Sequence, residues 1–180
     1  MGEFFRFHVQ LLGAKPPVFR RFLLHDKATF YDLHAAIQIA CGWENCHMFA
    51  FRARERGESL ASIPDADGFG PIDPDAKKVP LAKWFSLTGN KSCIYEYDFG
   101  DGWLHAVKLE TIEQHDGRFK RRLLDGARSF PPEDCGGIHG YAECVELATT
   151  GEGDAEQKEW LGEWDPEHFD QIGVKRKFDK

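Results

Sequence analysis

Residues Ile94–Glu110 read IYEYDFGDGWLHAVKLE, two runs rich in aromatic and β-branched side chains on either side of an Asp-Gly pair. Asp-Gly between alternating apolar positions is a strong signal of a two-residue type I′ hairpin turn. We therefore predict a hairpin whose turn is Asp101-Gly102. We place it at the centre of a sheet, with any functional site near its tip.

The length of the turn fixes how the two strands pair. A two-residue loop pairs Gly100 with Trp103 and places Asp98 opposite His105, on the face that also carries Trp103. A three-residue loop would shift the register and separate Asp98 from His105. The pairing of this carboxylate with this imidazole is therefore a conditional prediction.

The N-terminal part of the sequence predicts a second hairpin and a helix. Glu3–Leu12 alternates apolar and polar residues, and Val18–Leu24 returns after a Pro-Pro turn, so both are predicted strands. Phe30–Cys41 carries apolar residues at helical spacing. Thr29 is suited to cap the start of this helix, and Gly42 is suited to its C-terminal end.

The remaining patterns complete an α+β fold. Residues 57–80 are rich in Pro, Gly and Asp, and we interpret them as a long, acidic, mobile loop. The order of elements predicts a single domain over residues 1–180, with an antiparallel sheet of five to six strands and helices packed on one face. The other predicted elements are an aromatic strand within 47–54, a helical turn at Leu81–Phe85, an edge strand at Phe119–Leu124, and helices at Gly140–Thr149, after Asp154 and around Glu167–Ile172.

Composition narrows the class of protein. The net charge of −7 disfavours a broad nucleic-acid-binding face, although basic clusters occur at Arg20–Arg21, Arg118–Arg122 and Lys175–Lys177. No apolar run approaches the length of a membrane span, and no secretory signal is present. Five cysteines, an odd number, indicate free thiols in a reducing compartment. We expect a cytoplasmic protein whose partner is another protein or a small ligand rather than DNA or a membrane.

Five segments carry a family resemblance: Lys15–Leu24, Asp32–Trp43, Tyr95–Glu110, Pro131–Glu143 and Trp160–Asp170. Together they resemble the plasmid pRi ORF-3-like family. Its members are often labelled TnpR resolvases or transposon passenger proteins, so the resemblance implies a compact α+β protein associated with plasmids or transposons. Serine resolvases need a nucleophilic serine near the N-terminus, whereas the first serine here is Ser59.

The sequence departs from this family at two positions. Phe49 stands where relatives often have a second histidine after the one that matches His47, and Phe130 stands where they often have a cysteine. Both changes remove potential metal ligands.

The strongest combination of reactive side chains is His47, Asp98, His105 and Cys135, because imidazole, carboxylate and thiolate are the ligands that a zinc-like divalent ion takes. With Trp103, Glu133 and Asp134 these residues form our candidate ligand pocket. No pair has compact spacing such as CxxC or HExxH. We favour a structural interpretation, in which a core histidine bonds an aspartate and Cys135 is a small buried side chain.

No complete catalytic motif is present, so we assign no catalytic residue. Three functions stay open: a binding or accessory protein of this plasmid- and transposon-associated family, a metal-dependent enzyme resembling a hydrolase, and a nucleic-acid-binding accessory factor in transposition.

Overall fold

The computed structural model describes residues 1–63 and 73–180, and within these ranges one antiparallel sheet of seven strands is joined by five helices. The strands lie in the order β4-β3-β5-β6-β1-β2-β7. None of these helices has the length and apolar character needed to cross a membrane. The elements are β1 Gly2–Leu11, β2 Phe19–His25, α1 Phe30–Cys41, β3 Phe49–Arg52, β4 Ser59–Ser62, α2 Leu81–Phe85, β5 Ser92–Tyr97, β6 Trp103–His115, β7 Arg121–Ala127, α3 Gly137–Thr150, α4 Ala155–Leu161 and α5 Gln171–Phe178.

The predicted α+β class with an antiparallel sheet is confirmed, but the sheet has seven strands where five to six were expected. The additional strand is β4, which lies inside the range 57–80 that we interpreted as a loop. It pairs with β3, with Phe51 opposite Ala61. A four-residue strand reading SLAS has too few β-branched or aromatic residues to be recognised from its pattern. Residues 64–72 of the predicted loop lie outside the described residues.

The register predicted for the central hairpin is wrong. Tyr97 pairs with Trp103 and Tyr95 pairs with His105, so five residues rather than two connect the strands. Asp98 turns out of the strand because its backbone is left-handed, with φ 53°. Its carboxylate Oδ1 then accepts the N–H of Gly100 at 2.9 Å, which stabilises the longer loop. Asp98 therefore lies in the loop and not opposite His105.

Helix α1 begins and ends as predicted. The Thr29 hydroxyl accepts the N–H of Asp32, the Asp32 carboxylate accepts the N–H of Thr29, and Gly42 ends the helix with φ 82°. Leu33 and Ile37 on its inner face are fully buried against the sheet.

The two faces of the sheet differ in charge. Phe7 and Val9 enter the core that lies beneath α1, whereas Arg6 and Arg21 on the other face pair with Glu110.

A polar network crosses the core between α1 and β5. The Tyr95 hydroxyl donates to His34 Nδ1 at 2.8 Å and accepts from the Gln38 amide at 3.0 Å. His34 Nε2 in turn donates to Asn45 Oδ1 at 2.6 Å. Because His34, Gln38 and Tyr95 are buried and partnered, the network fixes the orientation of α1 on the sheet, and its bond to the exposed Asn45 holds the segment that follows the helix.

His105 is a second buried histidine. Its side chain is fully inaccessible, its ring stacks on Phe130, and its Nδ1 donates to the Tyr95 carbonyl at 3.2 Å. Burial lowers the pKa of His105 to about 4, and burial likewise lowers the pKa of His34 to about 4. Both imidazoles are therefore neutral at pH 7.

We expect Tyr95→Phe to destabilise the protein by about 1–3 kcal/mol, because the change leaves buried groups of His34 and Gln38 without a partner. Urea denaturation monitored by circular dichroism measures this loss. Tyr31→Phe is the matched control, since the Tyr31 hydroxyl has no hydrogen bond to the described residues and its removal should change stability by less than about 0.5 kcal/mol. Equal effects of the two substitutions would contradict the structural role of the Tyr95 hydroxyl.

The buried histidines also predict a pH dependence. An unfolded histidine takes up a proton below about pH 6.5, whereas folded His34 and His105 do so only near pH 4. The stability that the two neutral histidines contribute is therefore complete above about pH 6.5 and is lost as the pH falls toward 4. We expect the free energy of unfolding to fall by on the order of 1–2 kcal/mol per histidine between pH 7 and pH 5.

Urea denaturation at pH 7, 6 and 5 measures this dependence. His105→Phe should reduce it, and His139→Gln, at an exposed position, should leave it unchanged. The assignment of His105 to the core fails if wild type and His105→Phe lose stability equally over this range.

Candidate functional site

Three connecting segments meet at one end of the central hairpin. They are residues 43–47 after α1, residues 98–102 between β5 and β6, and residues 131–136 before α3. Each carries at least one side chain able to bind a metal ion: His47 on the first, Asp98 on the second, and Glu133 and Asp134 on the third.

The first segment is held by its backbone and by one indole ring. Trp43 is buried, stacks on Tyr97, and donates its indole N–H to the Pro131 carbonyl at 2.9 Å. The N–H of Asn45 donates to the Gln38 side chain at 2.9 Å, and the N–H of Cys46 donates to the Tyr97 hydroxyl at 3.2 Å. These contacts fix the backbone that carries His47.

The hairpin loop presents one free carboxylate oxygen. Asp98 is 8% exposed, and the hydrogen bonds that its carboxylate accepts from the backbone go to Oδ1. Its Oδ2 accepts no hydrogen bond from the described residues and lies 3.7 Å from His47 Nε2. The longer loop, which displaced Asp98 from the strand, is what brings it to this position.

The third segment presents a carboxylate in the same way. Glu133 Oε1 accepts the N–H of Glu44 at 2.9 Å and the hydroxyl of Tyr97 at 3.1 Å, so one oxygen is fixed and Oε2 is free. The segment packs tightly on the hairpin loop, where the Gly136 N–H donates to Asp101 Oδ2 at 3.0 Å. A side chain at Gly137 would meet the Asp101 carbonyl at 2.5 Å, which requires glycine there.

The free atoms of these residues converge on the imidazole. His47 Nε2 lies 3.0 Å from Asp134 Oδ1, 3.7 Å from Asp98 Oδ2 and 4.0 Å from Glu133 Oε2. Ligand atoms bound to one tetrahedral ion at about 2.1 Å lie roughly 3.4 Å apart. The ligand atoms of His47, Asp98 and Asp134 all lie within 4.8 Å of one another, and His47 forms a second such group with Cys46 and Glu133. The spacing of each group of three is therefore close to that around a metal ion.

Two atoms of this cluster are buried without a hydrogen bond. His47 Nε2 and Glu133 Oε2 both lack a partner of acceptable geometry among residues 1–63 and 73–180, although Asp134 is close to the first. In the same part of the chain, no lysine or arginine forms an ion pair with Asp98, Glu133 or Asp134. The carboxylates thus lack a balancing charge other than the one that His47 carries when protonated.

Backbone strain concentrates around the same point. In the described ranges four residues other than glycine have positive φ, and three of them, Asn45, Asp98 and Asp134, belong to the three segments of the site. Left-handed backbone is uncommon outside glycine, and such residues cluster at functional sites. Here the conformation turns the Asp98 side chain out of its strand toward His47.

The structure brings together four of the seven predicted pocket residues and separates three. His47, Asp98, Glu133 and Asp134 form the cluster described above. Trp103 and His105 lie in the core beneath it, where Trp103 packs on Trp43 and His105 on Phe130. Cys135 faces Cys144 of α3, and burial raises the pKa of its thiol to about 12. In the described structure neither His105 nor Cys135 joins a group of potential metal ligands.

Sequence reasoning missed two residues of the site. Cys46 lies next to His47, and its sulfur forms a group of potential ligands with His47 and Glu133. Tyr97 links Cys46 to Glu133 through its hydroxyl. The adjacent Cys46-His47 pair could have indicated Cys46, since it offers sulfur and nitrogen ligands at neighbouring positions. No sequence pattern indicated the role of Tyr97.

Comparison with known proteins places the chain in a family. Residues 3–172 match the model of the plasmid pRiA4b ORF-3-like proteins. The uncharacterized protein y4hQ of Sinorhizobium fredii is 41% identical over 163 residues, covering 89% of this chain and 81% of the relative. The crystal structure of MM3350 from Methanosarcina mazei Go1, described as a protein of unknown function, superposes with a TM-score of 0.82 at 32% identity, covering 94% of this chain and 95% of that one. The chain therefore belongs to the plasmid pRiA4b ORF-3-like family, as the sequence resemblance predicted.

Proposed function

We propose that this protein binds a divalent transition-metal ion through His47, Asp98 and Asp134, with the Glu133 carboxylate also close to His47. The observation that carries the proposal is the convergence of three free carboxylate oxygens on His47 Nε2, within 4.0 Å. One imidazole with several carboxylates is a ligand set that suits zinc, manganese or iron. A divalent ion would also supply the positive charge that the described surroundings of these carboxylates lack.

The hydrogen bonds around the cluster support the same function. Asp98 and Glu133 each use one oxygen to accept protein N–H or O–H groups and leave the other oxygen free. Hydrogen bonds of this kind orient a carboxylate ligand before the ion arrives and raise its affinity. Preorganised ligands distinguish this cluster from a group of acidic side chains that are merely close together.

A metal-dependent hydrolase is the second candidate function, and one observation favours it. The Asp134 side chain is 70% exposed, whereas those of Asp98 and Glu133 are mostly covered, so the site is open on the Asp134 side. Catalytic metal sites keep one position open for water or substrate. Hydrolysis of a chromogenic phosphodiester or ester by metal-loaded protein, lost in Glu133→Gln, would support this candidate.

The basic clusters give less support to nucleic-acid binding. Arg20 is buried, donates to the Ala40 and Ala127 carbonyls, and lies over the ring of Phe169. Arg21 is occupied by ion pairs with Glu110 and Asp125. These two arginines are therefore not available to neutralise phosphates, and the first of the three clusters makes no basic surface.

We expect protein purified without a histidine tag or chelator to carry near-stoichiometric transition metal in elemental analysis by mass spectrometry. Asp98→Asn and His47→Gln should each weaken Zn²⁺ or Mn²⁺ binding by at least about tenfold in calorimetric titration of metal-free protein. Asparagine preserves the Oδ1 acceptor and tolerates positive φ, so the loop should survive the first change.

Two substitutions of the same kinds serve as controls. Asp125→Asn and His115→Gln remove a carboxylate and an imidazole outside the cluster, and both should bind metal like wild type. If no transition metal binds, or if the controls weaken binding as much as the site variants do, the proposal is wrong. The cluster is then a set of polar contacts around His47.

A further inference from the structure

We infer that Cys46 supplies a sulfur ligand to this site, so that the site selects thiophilic ions of the zinc class, and that oxidation of Cys46 releases them. This inference rests on the proposed function and names the class of ion and the regulation of the same site. A ligand atom of Cys46, of His47 and of Glu133 all lie within 4.8 Å of one another.

The position of the sulfur is fixed by Tyr97. The Cys46 N–H donates to the Tyr97 hydroxyl at 3.2 Å, and Cys46 Sγ lies 3.8 Å from the same oxygen. That hydroxyl donates to Glu133 Oε1 at 3.1 Å. One hydroxyl therefore holds the thiol and the carboxylate side by side, with Glu133 Oε2 free.

His47 belongs to two overlapping sets of ligands. With Cys46 and Glu133 it offers sulfur, nitrogen and oxygen, and with Asp98 and Asp134 it offers nitrogen and two oxygens. Thiolate ligands favour Zn²⁺ and its relatives, whereas carboxylates suit Mn²⁺ and Mg²⁺. His47 Nε2 and Glu133 Oε2, both buried and without a hydrogen bond to residues 1–63 and 73–180, are free to bind an ion in this space. The presence of the sulfur thus decides which ion the site prefers.

Cys46 is also the cysteine that an oxidant reaches first. Of the five cysteines it alone is exposed, whereas Cys93 and Cys144 are buried and Cys41 and Cys135 are partly covered. Burial raises the pKa of Cys135 to about 12, which makes its thiol unreactive at neutral pH.

The oxidation step is a two-electron reaction with a hydroperoxide. The sulfur of Cys46 attacks one peroxide oxygen, an S–O bond forms and the O–O bond breaks. The distal oxygen leaves as water, or as an alcohol from an organic peroxide, after taking up a proton. The product is a sulfenic acid, and cellular thiols can reduce it again. Its sulfur no longer binds zinc as a thiolate does, so the remaining nitrogen and oxygen ligands hold Zn²⁺ more weakly and the ion is released.

Metal-free wild type, Cys46→Ser and the control Cys135→Ser should be titrated with Zn²⁺ and with Mn²⁺. We expect Cys46→Ser to weaken Zn²⁺ binding by at least about tenfold and Mn²⁺ binding by less than about threefold, with Cys135→Ser like wild type. Co²⁺-loaded wild type should show a near-ultraviolet sulfur-to-cobalt charge-transfer band that Cys46→Ser lacks. One equivalent of hydrogen peroxide should release Zn²⁺ from wild type but not from Cys46→Ser.

The inference is overturned if Cys46→Ser binds Zn²⁺ like wild type and the cobalt band is absent, while Asp98→Asn still weakens binding. In that case the metal site is real but contains no sulfur. Equal release of Zn²⁺ from wild type and Cys46→Ser under peroxide overturns the regulatory part. Absence of binding by any ion overturns the proposed function as well, so the two failures are distinguishable.

Discussion

Two tyrosines of β5 link the sheet to helix α1 and to the candidate metal ligands. Tyr95 and Tyr97 lie on the same face of the strand with nearly parallel rings, and both hydroxyls bond to residues outside β5. The Tyr95 hydroxyl holds α1 through His34 and Gln38. The Tyr97 hydroxyl holds Cys46 and Glu133. Because a buried hydroxyl must be hydrogen-bonded, these two side chains set both the helix packing and the position of the metal ligands.

The site depends on close contact between segments distant in sequence. His47, Asp98 and Glu133 come from three loops, and each loop is fixed by hydrogen bonds to the others or to β5. Glycine at position 137 permits the approach of the third loop to the hairpin. Hydrogen bonds thus hold the Asp98 and Glu133 carboxylates in place, but no lysine or arginine of the described residues forms an ion pair with them. That imbalance in charge is the physical reason for expecting a cation here, and the adjacent thiol is the reason for expecting a soft one.

Local rules predicted much of the fold. Helix α1, its capping pair Thr29 and Asp32, the short helix Leu81–Phe85 and the capping pair Asp154 and Gln157 are all observed. These features depend on contacts within a few residues, which spacing and residue type reveal. Residue type suggested a candidate site that the structure brings together only in part, since His47, Asp98, Glu133 and Asp134 lie close to one another whereas His105 and Cys135 lie apart from them.

The sequence by itself determined the antiparallel α+β class, the early helix and the membership of the family. Only the tertiary structure decided the length of the hairpin loop, because the Asp98 N–H donates to the Met48 carbonyl and Asp101 accepts the Gly136 N–H. These contacts outweigh the local preference of Asp-Gly for a two-residue turn. They move Asp98 from the strand to His47 and place His105 opposite Tyr95 in the core. Long-range hydrogen bonds thus decide whether a polar residue lies in the core or in the candidate site. No local sequence pattern predicts these hydrogen bonds.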